Sequence, residues 1–496
     1  MYLSKSKYCL LAQCPKLLWL ETYHKELKTE DAARDARMVS GSEVGDLAMG
    51  LFGDFTEVTV LRDDGWPDVA AMIERTKQCI TDGVENICEA AFSYEGLYCA
   101  VDILRKEKGG YAIYEVKSST HAQEQYATDI AYQKYVLEHC GVKVTGTYLV
   151  HIDSTYVRGG ELDIHQLFAI EDLSEWVSLE YPLVPSLLKQ AEKVLSCQEE
   201  PVRDIGEHCD VPYHCAYWEY CSRHLPKPSV FNLYKLSKKK KLEYYRRGMV
   251  SYADLLAEPR LNDKQLRQIQ FELSDCGTYA DQESIRDFLN TLSYPIYFLD
   301  FETMQLVIPE FPGTRPYQQI PFQYSLHYIE KPDGELKHKE FLAESGADPR
   351  RAIAESLCRD IPMFACVTAY NKSFECSRIK ELAEAFPDLA VPLMNIRENV
   401  HDLLDPFQAG YYYNRAMGGS FSIKSVLPAL FPDDPELDYH NLEGVHNGSE
   451  AMAIFPKIKD MPPEEAALAR KNLKAYCKLD TYAMVKVWEA LEKSVK

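Results

Sequence analysis

Acidic residues in the C-terminal part of the chain have the spacing of a divalent-metal site. Asp300 and Glu302 end an apolar run, so a strand would direct both carboxylates to one face. Glu375 opens a predicted helix, and Tyr476 and Asp480, four residues apart, share one face of a predicted C-terminal helix. Carboxylates brought together from strands and helices are suited to binding a divalent cation. The pattern therefore predicts metal-assisted chemistry in this region.

This order of acids resembles the DEDD exonucleases of the DnaQ-like, RNase H-like type, over residues 291–496. The resemblance implies 3′–5′ exonuclease activity with two Mg²⁺ or Mn²⁺ ions, one activating water and one holding the leaving oxygen. It implies four metal ligands, namely Asp300, Glu302, Glu375 and Asp480. Tyr476 would orient the attacking water, as in the tyrosine-bearing subgroup. Glu375 departs from the aspartate that is usual in the family.

Two further segments of this region bear on substrate binding. Residues 418–424 are glycine-rich and predict a loop that leads into a helix capped by Ser422, where backbone N–H groups and Lys424 meet a phosphate. The tyrosines at 411–413 either stack on splayed bases or pack inside the protein, and the sequence leaves both readings open.

A second set of charged residues lies in the N-terminal part of the chain. Two strand-like runs, 97–104 and 111–117, flank a turn with two glycines and predict a hairpin. Strand alternation places Glu115 and Lys117 on one face, beside Asp102. Two acids and an amine suit phosphodiester hydrolysis, because a metal held by the acids activates water and the ammonium stabilises charge. The alternative is an exposed cross-strand salt bridge.

The segment resembles the PD-(D/E)XK nucleases of the RecB-like group, over about residues 1–225. The resemblance implies that the metal is held by Asp102, Glu115 and the Val116 carbonyl, and that Lys117 is the catalytic lysine. Gln133 and Tyr135 would be the substrate-side contacts on the following helix. Related nucleases often have a metal-binding histidine in an N-terminal helix, where this sequence has Gly45 and only Glu43 or Asp46 as substitutes.

Clustered cysteines end the N-terminal region. Cys209, Cys215 and Cys221 follow a C-x5-C-x5-C spacing, and thiolates this close suggest a soft metal. Cys14, in a Gln-Cys-Pro-Lys setting, resembles the N-terminal cysteine of iron-sulfur RecB-like nucleases, including CRISPR-associated ones. That resemblance implies a 4Fe-4S cluster that ties both ends of the domain together. Zinc, with His208 or His214 nearby, and buried free cysteines stay open as alternatives.

Length, net charge and the positions of prolines and basic residues indicate how the chain is organised. The 496 residues allow two to three domains, and a net charge of −21 argues against non-specific coating of nucleic acid, so any polyanion site must be local. Prolines and a basic run at 235–247 indicate a small helical connector, and Asn262 is a candidate helix N-cap. We therefore expect an α/β protein with a restriction-endonuclease-like domain (1–225), a connector (226–290) and an RNase H-like domain (291–496).

The three parts in this order resemble a bacterial family of two-nuclease proteins of undefined substrate. The expected function is metal-dependent hydrolysis of DNA, single strands favoured and RNA also acceptable. A nucleic-acid-binding scaffold with one or both sites inactive is the alternative. The longest apolar runs fall far below the ~20 residues of a membrane span, and no signal peptide is evident, so we expect a cytoplasmic protein without a membrane partner.

Overall fold

Two structural units divide the chain in the computed structural model, which describes residues 2–29 and 41–496. The division lies between His224 and Leu225. The short segment Leu306–Tyr317 belongs to the first unit, although the chain on both sides of it belongs to the second. Residues 225–290, where the sequence predicts a connector, lie within the second unit.

A mixed sheet forms the centre of the first unit. Its strands are β1 (Leu3–Ser4), β2 (Thr56–Glu57), β3 (Asn86–Tyr94), β4 (Leu97–Glu107), β5 (Gly110–Lys117), β6 (Val144–Ile152) and β7 (Phe168–Asp172). The order is β2-β3-β4-β5-β6-β7, and β1 pairs with the start of β4. The predicted hairpin is confirmed, because β4 and β5 are antiparallel neighbours. The β5–β6 pair is parallel and continues the sheet.

Helices cover both faces of this sheet. They are α1 (Lys5–Gln13), α2 (Pro15–Tyr23), α3 (residues 41–48), α4 (Val69–Asp82), α5 (Glu124–His139), α6 (Ile164–Leu167), α7 (Ser174–Glu180), α8 (Val184–Ser196) and α9 (Trp218–Ser222). Along β5, Tyr111 and Ile113 join the core formed with α1, α2, α5 and α8, whereas Ala112 and Tyr114 face the core formed with α3. This alternation directs Glu115 toward α1 and α5.

The second unit has a five-stranded mixed sheet and a separate two-stranded sheet. Its strands are β8 (Thr278–Ala280), β9 (Ile296–Gln305), β10 (Gln319–Ile329), β11 (Lys337–Leu342), β12 (Cys366–Ala369), β13 (Val400–Asp402) and β14 (Tyr412–Asn414). The larger sheet has the order β11-β10-β9-β12-β13. Its first three strands are antiparallel, and β9, β12 and β13 are parallel. Strand β8 pairs with β14.

The helices of the second unit begin with a small group at 238–274. They are α10 (Lys238–Arg246), α11 (Tyr252–Leu255), α12 (Asp263–Ser274), α13 (Gln282–Leu289), α14 (Arg350–Asp360), α15 (Ser373–Ala385), α16 (Ala390–Glu398), α17 (Asp405–Ala409), α18 (Ile423–Leu430), α19 (Gly448–Ile454) and α20 (Pro463–Ser494). The predicted N-cap Asn262 is confirmed, since its side chain accepts from the N–H groups of Lys264 and Gln265 in a capping box. Residues 230–269 form a hydrophobic cluster of their own.

The mixture of helices and mixed sheets confirms the α/β class. Among the helices in the described ranges, none has the length and apolar character that a membrane crossing needs.

Candidate functional site

Strand β9 directs its two acids toward the long helix α20. Tyr297, Leu299 and Phe301 face the core under α14, α15 and α16, whereas Ile296 and Phe298 pack with residues of α20. Asp300 and Glu302 continue the second face, because side chains alternate along a strand. The sequence prediction that these two carboxylates point the same way agrees with this register.

A tight group of potential metal ligands lies on this face. Three potential ligand atoms lie within 4.8 Å of one another, namely one carboxylate oxygen each of Asp300 and Glu302 and the Sγ of Cys477. Cys477 is buried on α20, and its Sγ lies 3.9 Å from Asp300 Oδ2 and 3.9 Å from the Asp300 carbonyl oxygen. It is the only such group of histidine, cysteine or acidic ligands within residues 2–29 and 41–496. Cysteine was not part of the predicted ligand set.

Asp480 is held beside this group by two tyrosines. The hydroxyl of Tyr439 donates to Asp480 Oδ1 at 2.7 Å, and the Tyr476 side chain also hydrogen-bonds to Asp480. Burial raises the pKa of Asp480 to about 6, although these hydrogen bonds and the charge of Lys424 act in the opposite direction. The predicted pair Tyr476 and Asp480 thus shares one helix face and one hydrogen bond.

The acids of this cluster lie close enough to repel one another. Burial, followed by the charge of Asp480, raises the pKa of Asp300 well above its ordinary value, and Glu302 behaves in the same way. Glu375 adds to the repulsion on both. Lys424 is the cation that opposes it. A group of acids of this kind favours a bound cation, because an added positive charge relieves the repulsion among the carboxylates.

Glu375 lies on the first turn of α15, after a turn in which Asn371 has a positive φ of 71°. Asp402 builds this turn, since its carboxylate accepts from the N–H groups of Asn371, Lys372 and Leu404. Burial raises the pKa of Glu375 to about 8, and its Oε2 is buried without a hydrogen-bond partner. Glu375 therefore lies near the predicted ligands but outside the tight group with Cys477.

Lys424 reaches the tyrosines of the cluster from α18. Its Nζ donates to Tyr476 Oη at 3.3 Å and to the His446 carbonyl at 3.2 Å, and it lies over the Tyr439 ring. Ser422 occupies the N-cap position of α18, but its hydroxyl contacts Ser425 Oγ at 3.1 Å and makes no capping hydrogen bond, so the predicted side-chain cap was wrong.

The tyrosines at 411–413 pack inside the second unit. Tyr412 and Tyr413 are buried, with their rings against Phe407 and Phe271 respectively. Of the two readings that the sequence left open, packing is the correct one for these two residues, because a buried ring offers no face to a base.

In the first unit, Glu115 is fully buried and surrounded by donors. Lys5 Nζ lies 2.9 Å and 3.1 Å from its two carboxylate oxygens, Lys117 Nζ lies 2.6 Å from Oε1, and Gln133 Nε2 donates to Oε2 at 2.6 Å. Burial alone would raise the pKa of Glu115, but Lys117 and Lys5 outweigh it and hold that pKa below its ordinary value. The predicted Glu115, Lys117 and Gln133 therefore meet, and Lys5 joins them.

Asp102 and Glu89 complete the acidic side of this site. Asp102 Oδ2 accepts from the Val116 N–H at 2.6 Å. Glu89 has a positive φ of 57° and lies opposite Asp102, between two residues of β3 that pair with β4 in an unshifted register. Burial, followed by the charge of Glu115, raises the pKa of Asp102 to about 6. Burial, followed by the charge of Asp102, raises the pKa of Glu89 to about 7. Non-glycine residues held at positive φ are often found at functional sites.

Other residues predicted for this site lie apart from the carboxylates. Tyr135 packs against His139 and Tyr181. Glu43 and Asp46 lie on α3 with exposed side chains, and no contact in the described part of the chain joins them to Glu115. Tyr135 thus contributes packing to α5 rather than a contact at the carboxylates.

The four predicted cysteine ligands belong to neighbouring segments of the first unit. Cys14 is buried between α1 and α2, Cys209 is buried, and Cys215 and Cys221 are partly buried. The Cys215 N–H donates to the Cys209 carbonyl at 2.8 Å. Burial raises the pKa of Cys215 to about 11, and the other three thiols act in the same direction. The structure thus brings Cys14 to the cluster near residues 209–221.

Gln13 fixes this arrangement. Its Nε2 donates to the His208 carbonyl at 2.9 Å and to the Tyr213 carbonyl at 2.8 Å. The imidazole of His214, one of the two nearby histidines, is hydrogen-bonded to Asp210 at 2.8 Å. The N-terminal helices are therefore attached to the cysteine loop by direct contacts as well as by any shared metal.

Sequence reasoning did not assign roles to Lys5, Glu89, Tyr439 or Cys477. Lys5 and Glu89 become neighbours of Asp102 and Glu115 only through the β1–β4 and β3–β4 pairings. Cys477 follows Tyr476 directly and lies three residues before Asp480, which was a usable signal because i and i+3 share a helix face.

Comparisons with known proteins match parts of the chain. The sequence model of a domain of unknown function, DUF2779, matches residues 297–422, which include Asp300, Glu302 and Glu375 but end before Tyr476. The uncharacterized protein UU173 of Ureaplasma parvum serovar 3 is 26% identical over 239 residues, which cover 43% of this chain and 33% of that protein. The chain thus spans about a third of the length of this relative. Neither description names an activity.

Proposed function

We propose that this protein is a metal-dependent nuclease that hydrolyses phosphodiester bonds of DNA, single strands favoured, with RNA as a further substrate. The 3′–5′ exonuclease site is the cluster in the second unit, which contains Asp300, Glu302, Glu375, Tyr476 and Asp480. A second nuclease site contains Asp102, Glu115 and Lys117 in the first unit. The proposal includes an RNase H-like fold for the second unit and a PD-(D/E)XK fold for the first.

The observation that carries the proposal is the mutual repulsion of buried acids on β9 and α20. Asp300, Glu302 and Asp480 all have raised pKa values, with burial as the first cause. Such a set is costly without a cation, so its presence supports a metal-binding role. When bound, the metal supplies an activated water and stabilises charge on the leaving oxygen. The sheet order, three antiparallel strands followed by two parallel ones, supports the RNase H-like assignment.

Tyr476 and Lys424, which lie next to the acids, are suited to contacting the attacking water and the phosphate of a substrate. The Tyr476 hydroxyl is held by Asp480 and by Lys424 at 3.3 Å, which leaves it oriented to position a water. Lys424 is exposed, with its ammonium over the rings of Tyr439 and Tyr476, and an ammonium in that place attracts a phosphate.

The first unit offers the components of a second site with a different charge balance. Asp102 and Glu89 have raised pKa values of about 6 and about 7, and Lys117 lies within 2.6 Å of Glu115. A lysine beside paired acids supports the PD-(D/E)XK assignment, in which it stabilises charge that develops on the phosphate.

The test is cleavage of end-labelled single-stranded DNA and RNA with Mg²⁺ or Mn²⁺. Asp300→Asn should abolish stepwise shortening from the 3′ end. Asp102→Asn should abolish the cleavage that does not depend on Asp300. Asp433→Asn and Asp63→Asn are matched controls, because both acids are exposed, one in each unit. Cleavage that is unchanged in both Asp300→Asn and Asp102→Asn would contradict the proposal.

We propose in addition that Cys14, Cys209, Cys215 and Cys221 hold a 4Fe-4S cluster, with zinc as the alternative. Support comes from the raised pKa values of Cys209, Cys215 and Cys221, which burial causes first and to which the charge of Cys14 adds in each case. Protein purified without oxygen should show iron, acid-labile sulfide and a broad visible absorbance that Cys215→Ser loses. Cys197→Ser, at an exposed cysteine, should keep them. A colourless protein with stoichiometric zinc would decide for the alternative.

A specific observation favours a second candidate, a nucleic-acid-binding scaffold. Both oxygens of Glu115 are already taken by Lys5, Lys117 and Gln133, so a metal at this carboxylate must displace a lysine. On this reading the wild type binds labelled strands in the assay above and leaves them intact at every metal concentration.

A further inference from the structure

We propose that Cys477 is a direct ligand of a divalent cation held with Asp300 and Glu302, and that its sulfur gives this position a preference for softer cations than Mg²⁺, such as Zn²⁺ or Co²⁺. The inference rests on the proposed metal binding at β9. It goes beyond it by assigning a third, thiolate ligand and the class of metal that this ligand selects.

The position of the thiol carries the inference. Cys477 Sγ and one carboxylate oxygen each of Asp300 and Glu302 lie within 4.8 Å of one another. A cation bound to all three would use ligand distances of about 2.0–2.3 Å, which require donor atoms this close or slightly closer. Cys477 comes from α20 and the acids from β9, so the ligands converge from two elements of the fold.

A second observation supports a cation at this place. Glu302 is buried, with 6% of the residue's surface exposed, and no hydrogen bond or ion pair in the described part of the chain satisfies its carboxylate. Gly448 lies beside this carboxylate, since a Cβ added to it would lie 3.6 Å from Glu302 Oε2. A buried carboxylate without a donor is costly, and a cation shared with Asp300 and Cys477 would satisfy it.

The ligand chemistry decides the class of cation. Mg²⁺ prefers oxygen ligands, whereas thiolates favour softer ions. Cysteine binds as the thiolate, so the S–H proton passes to solvent as the sulfur-metal bond forms, without any oxidation or reduction. Two carboxylates and one thiolate therefore suit a cation such as Zn²⁺ or Co²⁺ better than they suit Mg²⁺.

Another cysteine of the same unit provides a matched control. Cys366 on β12 is also buried, with 4% exposure, but it packs in an apolar cluster with Ile296, Phe298 and Trp488. Cys366→Ser therefore changes a buried thiol of the second unit without touching the acidic group. The cysteines of the first unit are retained in every variant and contribute an equal background.

The test is a titration of the full-length protein with Co²⁺ and with Cd²⁺, without nucleic acid, read by thiolate-to-metal charge-transfer absorption. Wild type and Cys366→Ser should show one more thiolate-metal band than Cys477→Ser. Asp300→Asn keeps the thiol but should lower the Co²⁺ affinity of that band ~10-fold or more, because even indirect ligand partners are worth 10–100-fold. Thermal unfolding of each variant verifies that it is folded.

Identical spectra for wild type and folded Cys477→Ser would overturn the inference, as would a Cys477 band that Asp300→Asn leaves unchanged. Should Cys477→Ser not fold, Asp300→Asn alone decides, because it retains the sulfur. The spectra do not depend on cleavage. A Cys477 band in a protein without nuclease activity therefore supports the metal site and rejects the proposed function. Cleavage by a protein without the band supports the proposed function and rejects Cys477 as a metal ligand.

Discussion

Lowering the pH should weaken the attachment of α20 to the sheet of the second unit through His327. The His327 ring on β10 is buried, and its Nδ1 hydrogen-bonds to Thr481 Oγ1 at 2.8 Å. Burial, followed by the charges of His338 on β11 and Lys478 on α20, lowers the pKa of His327 from 6.5 to about 3. Tyr482 on α20 also packs against the ring. The folded protein therefore keeps this histidine neutral.

Proton linkage gives the direction and the size of the change in the free energy of unfolding with pH. Above pH 6.5 the histidine is neutral in both states, and its contribution is fully present. Between pH 6.5 and about 3 the unfolded chain binds a proton that the folded chain does not, so stability falls as the pH falls. One proton is worth about 1.4 kcal/mol for each pH unit, which gives at most about 2 kcal/mol at pH 5. Solvent screening reduces this to about 1 to 2 kcal/mol.

The assay is urea-dependent hydrogen exchange of peptides from α20, measured at pH 7 and pH 5 and corrected for intrinsic exchange rates. The wild type should lose more stability than His327→Gln over this interval, by about 1 to 2 kcal/mol. His165→Gln, at an exposed histidine of the first unit, is the control and should follow the wild type. Equal pH dependence in wild type and His327→Gln would refute the reasoning, whatever the variant's stability at pH 7.

Three more predictions concern the turns and charges around the two sites. Asp402→Ala should destabilise the second unit by about 2 to 4 kcal/mol, measured by exchange of β12 peptides, because three backbone N–H groups lose a charged acceptor. Lys5→Met should lower the stability measured by hydrogen exchange of β5 peptides by about 2 to 4 kcal/mol, since buried Glu115 keeps Lys117 but loses one cation. An unchanged exchange rate would contradict this. Mn²⁺ should slow exchange of β9 peptides, and EDTA should reverse it; no response to Mn²⁺ argues against a cation at Asp300.

Local patterns predicted the strands and helices that carry the sites. Alternation along 111–117 was enough to place Glu115 and Lys117 together, because a strand fixes which side chains share a face. The i, i+4 spacing of Tyr476 and Asp480 predicted their common face in the same way. Asn262 identified the start of α12 because its side chain satisfies the free N–H groups there.

Long-range contacts were outside the reach of these patterns. Lys5 and Glu115 are separated by 110 residues, and their contact depends on the packing of α1 against the sheet, which no local spacing encodes. Tyr439 begins a 3-10 helix of three residues, which is too short for any periodicity to indicate its hydrogen bond to Asp480. Glu89 has a left-handed backbone conformation that sequence alone does not predict for a glutamate.

The two candidate sites balance buried negative charge in opposite ways. Glu115 has its compensation inside the chain, because Lys5 and Lys117 lie within 3 Å of its carboxylate and hold its pKa down. Asp300 and Glu302 face other acids, and Lys424 is the one basic residue of the described ranges that opposes the repulsion appreciably. Burying a charge is costly, and the cost is largest when no opposite charge accompanies it. A cation from outside the chain would relieve the repulsion in the second unit, whereas the first unit can hold its carboxylate without a metal. This difference makes the β9 cluster the stronger candidate for an obligatory metal site.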